Sequence, residues 1–124
     1  MIRYIDDLFL TEKTGKDLPK IKRKLRLGTG MTGLYFIMLS ENPHDVFDIV
    51  PAQVFKQRSF RHRDHTIVGI TENMKEVYSF VEGILTEHYN RTGRYTDLKA
   101  GFIERHVKTE DERDPLKETD LTKC

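Results

Sequence analysis

This sequence predicts a small α+β domain: two layers, with a mainly antiparallel sheet of about three strands packed by a long amphipathic helix over 71–91. Three observations carry that expectation. Apolar residues recur at helical spacing between Thr71 and Asn90, three short apolar runs lie elsewhere, and turn-forming clusters separate them. At 124 residues the chain has the length of one domain and can bury one modest core.

The elements follow in order. Ile2, Tyr4, Ile5, Leu8, Phe9 and Leu10 make a short apolar N-terminal segment, with strand and helix both open over residues 1–12. A shorter basic helix is expected over 17–27: Leu18, Ile21 and Leu25 share one face, Asp17 is placed to cap it, Pro19 suits its first turn and Gly28 its end. The run Leu34–Leu39 and the run Val46–Val50 flank a turn cluster, Ser40 to Asp45, and form a hairpin in which Pro43 forbids strand continuation. A helical turn fits Ala52–Phe55, and Thr66–Ile70 is a short buried strand.

The long helix has the clearest pattern. Met74, Val77, Tyr78, Val81, Ile84, Leu85 and His88 form its stripe, Asn73 and Glu76 have the spacing of a capping box, and Gly93 supplies the stop. Leu98, Phe102 and Ile103 suit one more short helix. The domain is thus expected over 1–108, with an acidic tail lacking apolar periodicity, and disordered, over 109–124.

Net charge is +1, from 21 Lys and Arg against 20 Asp and Glu, but it is small only because blocks cancel. Residues 13–26 carry +6, 56–65 carry +3 and 91–108 carry +3, with acidic stretches between them. No apolar run approaches the ~18–20 residues of a membrane span. The opening Met1–Asp7 segment is not that of a secretory signal. The lone Cys124 leaves no pair for an internal disulfide. A cytoplasmic protein is the expectation, with no membrane partner and no cofactor.

Three constellations invite a chemical reading. Gly28, Gly30 and Gly33 have the G-x-G-x-x-G spacing of a phosphate loop, where missing side chains let backbone amides approach an anion. This stretch resembles a protein-kinase glycine-rich loop, and His62-Arg63-Asp64 resembles the kinase catalytic-loop triplet. However, position 69 is Gly69 where a kinase has asparagine, and no Asp-Phe-Gly triplet follows. A dinucleotide fold also fails, because its glycines follow a strand and open a helix, whereas these precede a strand.

The second constellation is His62 and His65 beside Asp64, a candidate metal or acid–base pair for a small metal- or phosphate-dependent hydrolase. Three arginines, Arg58, Arg61 and Arg63, crowd it, and cations repel a metal.

The third is the basic blocks, 16–26, 58–63 and 91–105, in which Lys20, Lys22, Arg23, Lys24, Arg26, Arg58, Arg61 and Arg63 are candidate anion contacts. Phe60, Tyr89 and Tyr95 lie near arginines and are candidates to stack on bases. Against this stands the near-neutral total, since dedicated nucleic-acid domains show a basic excess. No set of residues completes a catalytic triad. The sequence therefore favours a non-enzymatic interaction protein, an adaptor or a self-associating module with a protein partner, and keeps an accessory nucleic-acid-binding protein as the alternative.

Overall fold

A computed structural model gives the structure of the chain and describes residues 2–107. The tail expected over 109–124, with Cys124, lies outside the described residues. The elements are β1 (Ile2–Leu10), α1 (Glu12–Lys16), α2 (Leu18–Leu27), β2 (Tyr35–Leu39), β3 (Phe47–Pro51), a 3-10 turn at Ala52–Lys56, α3 (Arg58–Arg61), β4 (His65–Thr71), α4 (Met74–Thr92) and α5 (Leu98–His106).

The sheet has four strands rather than three, in the order β1-β4-β2-β3. The hairpin β2–β3 is antiparallel, β2 pairs antiparallel with β4, and β1 runs parallel to β4. The added strand is the N-terminal segment. Its pairing with β4 slips between Tyr4 and Phe9. Its side chains still alternate, with Ile2, Tyr4 and Leu10 on one face of the sheet and Ile5 and Phe9 on the other, and because both faces are covered, apolar residues occur at even and odd positions alike.

Gly69 sits in the central strand where both neighbours come close. A Cβ there would stand 3.1 Å from Ile37 Cδ1 and 3.1 Å from Phe9 Cβ. The β2–β4 ladder shifts register at the same place, between Ile37 and Met38.

Helices cover both faces, one layer more than the expected two. On one side Ile21 and Leu25 of α2, with Ala52 and Phe55 of the 3-10 turn, bury against Phe36, Met38, Ile67 and Ile70. On the other, Val77 and Ile84 of α4 and Phe102 of α5 bury against Ile5, Ile37 and Val68. Phe36 and Ile37 are adjacent in β2 and face opposite cores, which is why that run is apolar throughout.

Local details depart from the pattern in instructive ways. Tyr78 is 68% exposed and not part of the α4 core stripe. Phe80 takes that role, with ring centroids 5.0 Å from Phe9 and 5.5 Å from Phe47. The capping box at α4 does not form: Asn73 Oδ1 accepts from the Lys75 amide at 2.9 Å, but the Asn73 amide donates to Thr71 Oγ1 at 3.0 Å instead of reaching Glu76. Asp17 makes no side-chain cap at α2, and its carbonyl accepts from the Ile21 amide at 2.9 Å. A full capping box does occur at α1, between Thr11 and Thr14, and buried Thr14 also donates to the Ile70 carbonyl at 3.0 Å. Gly28 and Gly93 both end helices in the left-handed region, with φ of 74° and 76°.

Candidate nucleic-acid interface

Charge is divided between the two helical layers. Residues 12–30, which include α1 and α2, hold seven Lys and Arg against Glu12 and Asp17, and residues 52–63 hold Lys56, Arg58, Arg61 and Arg63 with no acid. Residues 72–107, over the opposite face, hold five Lys and Arg against six Asp and Glu. A near-neutral chain therefore presents one strongly basic side.

Two of the three basic blocks meet there. A cleft of about 510 Å³ is lined by Lys22 and Arg26 of α2, Arg61 and His62 from α3 and its end, and Ile2 and Tyr4 of β1. The Lys22 ammonium lies 4.6 Å from the centre of the Tyr4 ring, a cation–π contact that holds the lysine over the aromatic face. Burial pushes the Tyr4 phenol up to about 12, opposed by the Arg26 charge, so the ring stays neutral beside these cations.

Arg61 is fixed in place. Its Nη1 donates to the Phe55 carbonyl at 3.1 Å, and the guanidinium lies against the backbone of Gly28, where a Cβ would come within 2.1 Å of Nη1. Gly30 likewise makes room for Lys56, whose Cδ would be 3.0 Å from an added Cβ. These glycines thus accommodate cationic side chains. They also follow the C-terminal end of α2, where carbonyls and not amides are exposed. The amides of a helix N-terminus are therefore not available to an anion at Gly28, Gly30 and Gly33.

The remaining candidates distribute around the same face. Lys20 and Lys24, with Lys13, line a second groove of about 340 Å³ against Gly30, Met31, Thr32 and Gly33. Arg23 and Arg58 are exposed. Arg63 instead pairs with Glu41 at 3.0 Å, at the β2–β3 turn. The third block is on the other side of the sheet: Arg105 is 3.4 Å from Glu87, and Lys99 donates to the Ser40 and Asn42 carbonyls at 2.6 and 3.1 Å.

The aromatic candidates divide too. Phe60 packs between Phe55 and His65, with centroids 5.0 and 4.5 Å away. Tyr89 and Tyr95 stack on each other at 4.8 Å, at the end of α4. Tyr4, which sequence reasoning grouped with the apolar N-terminal residues, is the aromatic among the cations. Nothing in the sequence signals this, because β1 and α2 approach each other only in the folded sheet.

The two histidines do not make one site. Buried His65 donates from Nε2 to the Phe60 carbonyl at 2.6 Å and faces Phe55 and Phe60. Exposed His62 lines the basic cleft. Among the described residues no group of three or more His, Cys, Asp or Glu is arranged to hold a metal ion.

Among the described residues no helix is long and apolar enough to cross a membrane. The chain matches no protein-family model, no curated protein and no solved structure.

Proposed function

We propose that this protein is a nucleic-acid-binding accessory protein that holds the phosphate backbone on the face formed by α2, the 3-10 turn and α3. The observation that carries the reading is the meeting of blocks 16–26 and 58–63 around the Tyr4 cleft, where Lys22, Arg26, Arg61 and His62 line a single concavity. Clustered side-chain cations replace the counterions condensed on the phosphate backbone, and the release of those counterions supplies affinity independent of base sequence. A cytoplasmic setting goes with this partner.

An adaptor working through a sheet edge has less support. The outer strand β1 carries a register slip and the exposed pair Asp6 and Asp7, and the other edge, β3, is five residues long with exposed Asp48 as its second residue and Pro51 at its end. Bulges, charges and proline are the devices that keep edges from pairing with other strands. The hydrolase reading has less still, since His65 is engaged with the Phe60 carbonyl.

Retention on immobilised heparin at rising ionic strength tests the proposal. The wild-type chain should be held at low salt and released as salt rises, and a Lys22→Ala, Arg23→Ala, Lys24→Ala variant should elute earlier. Flow-through of the folded wild-type chain at low salt would refute it.

A further inference from the structure

We infer that the Tyr4 cleft receives an unpaired nucleotide, so that the basic face selects single-stranded nucleic acid over duplex. This rests on the proposed nucleic-acid face and names the form of its ligand. A flat cationic surface would serve any polyanion, but this cleft has a mixed lining. Ile2 and the Tyr4 ring supply its apolar part, and Lys22, Arg26, Arg61 and His62 its charge. An isolated phosphate would satisfy the cations and leave the apolar part unmatched. A nucleotide satisfies both, with its phosphate against the guanidinium groups and its base beside Ile2, taking the place of the Lys22 ammonium over the Tyr4 ring.

The volume, about 510 Å³, falls within the ~300–1,000 Å³ of small-molecule sites. Arg61 is already positioned by the Phe55 carbonyl and Gly28, so little side-chain freedom is lost when a phosphate arrives. A duplex keeps its bases paired and stacked within the helix, out of reach of such a cleft. A single strand can turn a base outward onto an aromatic ring.

Fluorescence anisotropy with labelled oligo(dT), the oligo(dT)·oligo(dA) duplex and labelled heparin, all at one salt concentration, tests this. Oligo(dT) should bind about tenfold more tightly than the duplex, Tyr4→Leu should remove that preference, and Tyr4→Phe should keep it. The heparin affinity of Tyr4→Leu should match that of the wild type. Equal binding of single strand and duplex, or a preference that survives Tyr4→Leu, would overturn the inference and leave the broader nucleic-acid reading standing. Failure to bind strands or heparin would overturn both. Tighter binding to phosphatidylserine vesicles than to oligo(dT) would also overturn it.

Tyr4 packs against the α2-side core, so Tyr4→Leu needs a check that it folds. A second readout is the Ile2 methyl resonances of the wild-type chain. They should shift on adding oligo(dT) and stay in place on adding heparin, and an unmoved Ile2 signal at saturating oligo(dT) would refute the inference.

Discussion

Asp7 and His106, 99 positions apart in the chain, are joined by a 2.6 Å hydrogen bond between Oδ2 and Nδ1. The other ring nitrogen, Nε2, donates to Glu87 Oε1 at 2.9 Å. One imidazole thus ties β1, α4 and α5 together, with its ring 4.9 Å from that of Phe102. Both nitrogens face carboxylates, which favours the charged imidazolium, and the ring serves as a clamp. Arg105 adds its charge beside Glu87 at 3.4 Å.

This clamp should depend on pH in a defined direction. Burial would lower the His106 pKa, but the hydrogen bonds and charges of Glu87 and Asp7 outweigh it and raise it above the ordinary 6.5. Its contribution is fully present below 6.5 and is lost as pH rises through the raised folded value. The hydrogen bond from His106 lowers Glu87 below its ordinary 4.5, opposed by burial and helped by the His106 and Arg105 charges. That contribution is present above 4.5 and is lost as pH falls through the lowered value. His106→Ala should therefore cost about 1–2 kcal/mol, discounted for the half-exposed Asp7. The loss should be largest between the two ordinary values and should fade at alkaline pH. Thermal melts of both chains across pH check this, and a difference that does not vary with pH would count against the clamp.

Gly28 and Gly93 should separate stability from binding. Both end helices with positive φ, so alanine at either costs about 1–2 kcal/mol from the left-handed backbone alone. Nothing lies within 4 Å of an added Cβ at Gly93, whereas at Gly28 the Arg61 guanidinium must move. Urea unfolding should show similar losses for the two variants. Only Gly28→Ala should weaken nucleic-acid binding, because it displaces Arg61 from the cleft.

Phe80 and Tyr78 should differ sharply in their response to truncation. Phe80→Ala removes contacts with Phe9 and Phe47 and should cost about 2–3 kcal/mol, below the fully buried range because the ring is partly exposed. Exposed Tyr78→Ser should stay within about 0.5 kcal/mol. Denaturant midpoints of the two variants measure the contrast.

Much of the framework was legible because its signals are local. The α4 periodicity, the Gly93 and Gly28 stops, the Pro43 turn and the helical turn at Ala52 depend on near neighbours, and each occurs where the sequence places it. Tyr78 and Phe80 lie at opposite borders of one stripe, and only the tertiary positions of Phe9, Phe47 and Phe102 decide which is covered. The strand β1 was ambiguous because both its faces are covered, so apolar residues fall at even and odd positions alike. The candidate site was legible as charge but not as geometry. Lys22, Arg26 and Arg61 were candidates from composition, while Tyr4, Ile2 and the Arg61–Gly28 contact depend on segments far apart in the chain. Spacing alone does not reveal which end of a helix the glycines adjoin.

The central claim is that one helical layer, and not the other, holds phosphate. The most direct measurement is the salt dependence of oligonucleotide affinity for the wild-type chain, an Arg26→Ala, Arg61→Ala variant, and an Arg91→Ala, Arg94→Ala variant from the opposite layer. The log–log slope should be steep for the wild type, shallower by about one for each cation removed at Arg26 and Arg61, and unchanged for Arg91 and Arg94. Equal effects from both pairs, or a flat slope in the wild type, would contradict the account.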